Sequence, residues 1–203
     1  MQRLNDLIIR WSRHWWPLLA AAVAGLVTFQ LLDLIGQRFA AVTGGYQPFD
    51  LQNPLSLQAI EEQLPRYTAA SRTQYSIFIA ADMIFPVAAA LPLALLLAKT
   101  LRGVDRGWAA SALRRGLALT PFLVAVLDWI ENGFFVAVVA LYPRAIATWA
   151  TLALAMKTTK VGLLVLLNPM IAGLALYAVI AWLAARRSPR DPGQQRRTMR
   201  PDP

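Results

Sequence analysis

Cysteine is absent from the chain, which excludes disulfides, thiol nucleophiles and cysteine-ligated metals. Histidine occurs once, as His14, at the edge of the first long apolar run and not inside it. A haem held by histidines within a bundle and a di-iron centre built on Glu-x-x-His pairs therefore both lack their ligands. No Gly-x-Ser-x-Gly elbow, Gly-rich phosphate loop or zinc-finger spacing is present. These absences leave no recognisable nucleophile and no expected cofactor, and they weigh against an enzyme. Charged residues are also sparse, at 15% of the chain.

What is plentiful is apolar side chain, 57% of the sequence, against about 45–50% in a soluble domain. It is gathered in four blocks, residues 15–36, 75–98, 117–141 and 160–184. Each is longer than the roughly 20 residues that cross about 30 Å of hydrocarbon at 1.5 Å per residue. The expected fold is all-α, a single integral membrane four-helix bundle over residues 1–185 in contact with the lipid bilayer. Residues 37–74 form an outer loop, partly helical. There Ser56 to Leu64 place Leu57, Ile60 and Leu64 on one stripe of a short helix lying at the membrane surface. The first run resembles a signal peptide after Arg3, Arg10 and Arg13, but it exceeds the usual apolar core of about 7–15 residues. It is expected to be a retained span. Residues 99–115 are basic and helix-compatible, and 186–203, rich in Arg, Pro and Gln, are expected to be a disordered cytoplasmic tail.

The formal charge of +9 does not point to nucleic acid, because the basic residues flank apolar runs. The N-terminal segment carries Arg3, Arg10 and Arg13. The second loop carries Lys99, Arg102, Arg106, Arg114 and Arg115. The tail carries Arg186, Arg187, Arg190, Arg196, Arg197 and Arg200. Only Arg38, Arg66, Arg72, Arg144, Lys157 and Lys160 fall on the other side. The excess of positive charge inside predicts that both termini are cytoplasmic. The Ala- and Arg-rich composition suits a bacterial inner membrane.

Four acidic residues fall within the spans: Asp33, Asp82, Asp128 and Glu131. Each costs about 2.5–3.5 kcal/mol to insert at a helix centre. Measured by helical rise from the outer ends, Asp33 lies only about 5 Å in, and Asp82, Glu131 and Asp128 about 10–20 Å in. Asn132 and Asn168 fall at about 12–14 Å by the same rise. Asp128, Glu131 and Asn132 stand at i, i+3 and i+4 and share one helix face. Two carboxylates so close do not both ionise readily unless a cation sits between them. Asp82, Asp128, Glu131 and Asn132 are therefore the candidate intramembrane site, with Arg72, Asp33, Asn168 and Lys160 as outer-mouth partners. A hard cation such as Mg²⁺, Ca²⁺ or Mn²⁺ would suit these oxygens, but the spacing identifies no metal. The plainer alternative is that the acids bond one another, an arginine, or carbonyls freed by Pro86 and Pro169, and so fix the bundle.

Phe49-Asp50, Arg72-x-x-Tyr75, Asp82 with Phe85-Pro86, and Asp128-x-x-Glu131-Asn132 followed by Tyr142-Pro143 give the chain a familiar outline. It resembles a loosely defined group of bacterial four-span membrane proteins with no established activity. The resemblance implies a fold and a location, and that Asp50, Arg72 and Tyr75 fold back over the outer mouth, with Arg72 as a partner for Asp82. Three roles are compatible with all of this. The first is an acidic site that handles a proton, a cation or a small basic substrate, in a homo-oligomer. The second is a non-catalytic accessory or assembly subunit of a larger membrane complex. The third, ranked last, is a membrane enzyme that modifies lipid.

Overall fold

The computed structural model of the chain describes residues 1–104 and 107–187. The α-helices are α1 (Gln2–Trp11), α2 (Trp16–Thr43), α3 (Leu57–Gln63), α4 (Ala69–Asp82), α5 (Phe85–Gly103), α6 (Gly107–Arg114), α7 (Pro121–Leu141) and α8 (Ile146–Arg187). There is no strand among the described residues, and the all-α fold class is the observed one. Four stretches are long and apolar enough to cross a membrane: Trp16–Thr43, Ala69–Gly103, Leu117–Leu141 and Ile146–Ile180.

Local chemistry sets the helix ends. Pro17 occupies the first turn of α2, where a missing N–H costs nothing. Gly44, at φ +74°, closes α2 in a left-handed conformation that a side chain would strain. Ser56 caps α3 by accepting the Ala59 N–H at 3.1 Å, and Thr68 caps α4 by accepting that of Ser71 at 3.3 Å.

The second stretch is not one continuous helix. Pro86 offers no N–H to the Asp82 carbonyl four residues back, and its ring crowds that carbonyl. The helix breaks at Met83–Ile84, so α4 ends on Asp82. Trp129 of α7 donates its indole N–H to the Met83 carbonyl at 2.8 Å, supplying a donor within the break. Farther along α5, Pro92 withdraws a donor from the Ala88 carbonyl in the same way. There Gly25 of α2 packs so closely that an added Cβ would lie 3.1 Å from the Ala88 oxygen.

α5 is central and packs on α2, α7 and α8; α7 and α8 form an antiparallel hairpin. α2 is peripheral, with Leu19, Val23, Leu26 and Leu31 exposed. The core has two centres. One, at the end carrying the long α2–α4 loop, is aromatic: Phe39, Phe49, Tyr67, Tyr75, Phe78 and Phe135. The other, at the opposite end, joins Ile8 of α1 to Leu97, Leu101, Ala109, Ala118 and Ile171.

Several sequence boundaries shift. α2 continues to Thr43 and α8 begins at Ile146, well before residue 160. α1 is a separate amphipathic helix that sequence reasoning treated only as flanking charge; Leu4, Ile8 and Trp11, spaced four and three apart, are the signal that marks it. Asn5 pins it by donating to the Leu113 carbonyl at 3.0 Å. In the outer loop the short helix is found as α3. Of residues 99–115, part is the end of α5 and part is α6. The basic tail falls mostly on residues 188–203, outside the described residues; Arg186 and Arg187 end α8.

Candidate functional site

Three acid-bearing segments and one basic helix converge at the loop end of the bundle. α7 presents Asp128, Glu131 and Asn132 on one face, as their spacing requires, and all three are buried. α4 ends in Asp82, held there by the Pro86 break and 1% exposed. Asn132 bridges the two helices by donating Nδ2 to Asp82 Oδ2 at 2.7 Å and to Asp128 Oδ2 at 3.3 Å.

The third segment is the outer loop. Phe49 buries its ring between Tyr67, Tyr75 and Phe135, with centroids 5.6–5.8 Å away. That anchorage holds the Phe49–Leu51 turn inside the bundle and carries Asp50 into the acidic cluster. Nothing in the local sequence marks Asp50 as part of a site. Only the resemblance pointed to it.

α8 supplies the counter-ions. Because it starts at Ile146, Lys157 and Lys160 lie about 16 and 21 Å along the helix, one turn apart, facing Glu131 and Asp128 across the antiparallel hairpin. The Lys160 ammonium donates to Asp50 Oδ1 at 2.8 Å and to Asp128 Oδ1 at 2.6 Å. It also pairs with Glu131 Oε2 at 2.6 Å. Lys157 donates to the Asp50 backbone carbonyl at 2.5 Å and stands 3.6 Å from Glu131 Oε1. Lys160 was expected near the outer boundary; it is instead the centre of the cluster, 8% exposed. Lys157, which the hydropathy pattern leaves in the loop before residue 160, lies in α8. Its spacing of three from Lys160, matching Asp128 and Glu131, is the signal that finds it.

Oxygens of Asp50, Asp128 and Glu131 lie within 4.8 Å of one another, a grouping able to hold a metal ion. The Lys160 ammonium stands among these three carboxylates, within 2.8 Å of each. An ammonium has three N–H donors, so this lysine does the work of a bound cation. Counter-charge is nevertheless short: among the described residues, Asp50, Asp82, Asp128 and Glu131 face only Lys157 and Lys160. Acceptors are in surplus too. Asn132 Oδ1 is buried without a hydrogen-bond donor, and the Glu131 oxygens meet only the lysine ammonium groups. Burial raises the Asp50 carboxyl, but the ammonium groups, Lys160 foremost, outweigh it and hold Asp50 below the ordinary carboxylate range.

Beside the cluster lies a cavity of about 240 Å³ between α5, α7 and α8. Asp50, Asp128 and Lys160 form its polar wall, Phe85, Val124, Leu164 and Ile171 are among its apolar residues, and Asn168 also lines it.

The other expected partners lie elsewhere. Arg72 does not meet Asp82: it donates to the Val139 carbonyl and lies over the Tyr142 ring, 5.6 Å from its centroid. Nearly three turns, about 15 Å, separate it from Asp82 along α4, and the tether to α7 holds it at the mouth. Asp33 is exposed on α2 and accepts from Gln37 at 2.8 Å, facing away from the cluster. Asn168 reaches the cavity but no carboxylate of the cluster. No family model, curated protein or solved structure matches the chain.

Proposed function

We propose that this is a multi-pass protein of the bacterial inner membrane, with both termini cytoplasmic, whose acidic cluster binds a cation beside its own Lys160 in exchange for protons. One observation carries this reading: a lysine ammonium is ligated by three carboxylates in a cluster that still holds two more acids than bases. A purely structural ion pair needs no such excess. The surplus creates a standing demand for positive charge that protons or an ammonium-type cation can meet. The distribution of Lys and Arg supports the orientation, with the cluster toward the outer face.

Binding of radiolabelled methylammonium to the purified protein in nanodiscs tests it. Saturable, proton-competed binding is expected, weakened at least tenfold by Asp128→Asn and by Asp82→Asn. Asp82 touches no ammonium, so its variant removes charge without breaking an ion pair. Equal binding by wild type and both folded variants would overturn the proposal.

A second reading has its own support. Gln30, Asp33 and Gln37 share an exposed face of α2 within an otherwise apolar span. Polar groups facing lipid are costly, and a neighbouring membrane helix, from a second copy or another subunit, would satisfy them. Native mass spectrometry in mild detergent distinguishes a monomer from an assembly. Dissociation by Asp33→Leu would assign the contact to this face.

A further inference from the structure

The cavity beside the cluster has a distribution of chemistry that the cation site alone does not require. One wall is ionic, Asp50, Asp128 and Lys160, and most of the rest is apolar, contributed by α5, α7 and α8. A site for a bare inorganic ion has no use for an adjoining apolar chamber of about 240 Å³. At roughly 30 Å³ for a water-sized group, that space accommodates about eight such groups, the size of a short alkyl chain or one ring.

The head-group chemistry follows from charge and hydrogen bonding. Four carboxyls against two ammonium groups repel an anionic head. Glu131, 0% exposed, meets only the two lysine ammonium groups, and the fully buried Asn132 lacks a donor on Oδ1. The cluster lacks positive charge and N–H groups together. A primary ammonium supplies both, and Lys160 already demonstrates the fit within 2.8 Å of three carboxylates. We infer that the ligand of this site is an amphiphilic amine, with its ammonium meeting Asp50 and Asp128 beside Lys160, where the cavity borders the cluster, and its apolar part filling the cavity between α5, α7 and α8. This rests on the proposed cation-exchange reading and names its substrate class.

The test is a series of n-alkylammonium ions from methyl to octyl, competed against radiolabelled methylammonium in nanodiscs. Wild type is expected to gain roughly fourfold in affinity per methylene, the transfer of one CH₂ from water, until the chain fills the cavity, then to level off. Val124→Trp and Leu164→Trp fill the chamber from two different helices. Each should retain methylammonium binding and lose the chain-length gain relative to wild type, which also corrects for partitioning into lipid. If methylammonium binds in an Asp128-dependent manner but the chain-length dependence is the same in wild type and both tryptophan variants, the amphiphile inference is overturned and the cation site stands. If methylammonium does not bind, or binds without regard to Asp128, both fall.

Discussion

Replacing Lys160 with methionine keeps the length and apolar stem of the side chain and deletes only its charge and donors. Three carboxylates, with oxygens within 4.8 Å of one another, then face each other with only Lys157 nearby. At an effective dielectric of about 20, two unit charges about 4.8 Å apart repel by roughly 3.5 kcal/mol. Three such pairs would approach 10 kcal/mol, comparable with the whole stability of a typical domain, about 5–15 kcal/mol. The variant must therefore take up protons or a cation, or unfold. The expected net loss is that of a broken buried ion pair, about 3–5 kcal/mol. At about 2–4 °C per kcal/mol for a chain of this size, the melting temperature should fall by roughly 6–20 °C at pH 7.5. Two conditions should restore much of the loss. Acidification neutralises the carboxylates, and calcium, which takes carboxylate oxygens at about 2.3–2.6 Å, can occupy the position the ammonium leaves. Wild type should ignore calcium, because its own ammonium is already there. Thermal unfolding followed by tryptophan fluorescence, at pH 7.5 and 5 with and without calcium, measures all of this. A Lys160→Met protein that melts within about 2 °C of wild type at pH 7.5, and responds to neither acid nor calcium, refutes the reasoning.

Asp50→Asn should loosen the outer loop by about 1.5–3 kcal/mol, the value of a charged hydrogen bond, and speed tryptic cleavage at exposed Arg66 by about 10-fold or more. Because the folded Asp50 carboxyl sits below its ordinary value, its contribution is present above the unfolded value and lost only as pH falls through the lowered one. The gap between wild type and variant should thus be constant near neutrality and close only in strong acid; equal cleavage at pH 7 would rule out the tether. Gly25→Leu should destabilise by about 1–3 kcal/mol, because its Cβ would meet the Ala88 oxygen at 3.1 Å; Gly25→Ala should cost less, and an unchanged melting temperature for the leucine variant would show that α2 does not depend on this approach. Trp129→Phe removes the donor to the Met83 carbonyl and should raise hydrogen exchange across residues 83–88 at a cost of about 0.5–1.5 kcal/mol; unchanged exchange would show that another donor serves the break.

The spans were legible because hydropathy over about 20 residues is a property of composition and needs no partner. The shared face of Asp128, Glu131 and Asn132 was legible for a similar reason: helical periodicity is local. What supplied the positive charge was not. Lys160 and Lys157 sit among Ala, Thr and Met residues that read equally well as loop or helix, so their depth depended on where α8 begins. Arg72 looked like the better partner for Asp82 because it is near in sequence, yet proximity along α4 points it toward the mouth, where the Val139 carbonyl and Tyr142 hold it. Asp50 depends on the burial of Phe49 among the rings of Tyr67 in the loop, Tyr75 of α4 and Phe135 of α7, a contact between distant segments that no window of sequence displays. The break after Asp82 was foreshadowed by Pro86, but proline inside a membrane helix is also compatible with a kink, and the sequence alone does not choose.

The composition of the cluster argues against a role in stability alone. Buried ion pairs contribute little net stability, since desolvation offsets most of their attraction, and well-packed apolar residues of similar size often do as well. A network selected merely to hold α7, α8 and the outer loop together would also tend toward equal numbers of acids and bases. This one does not: Asp82 is the acid farthest from either lysine's reach, paired only with the Asn132 amide, and it sits where the helix is interrupted. Irregular backbone at membrane depth persists where protein surrounds it or where it borders a cavity. The uncompensated carboxyl, the interrupted helix and the apolar chamber beginning at Phe85 and Pro86 therefore adjoin one another on α4 and α5. A ligand that brings positive charge and apolar volume to the same place accounts for all three, whereas a packing role accounts only for the ion pairs.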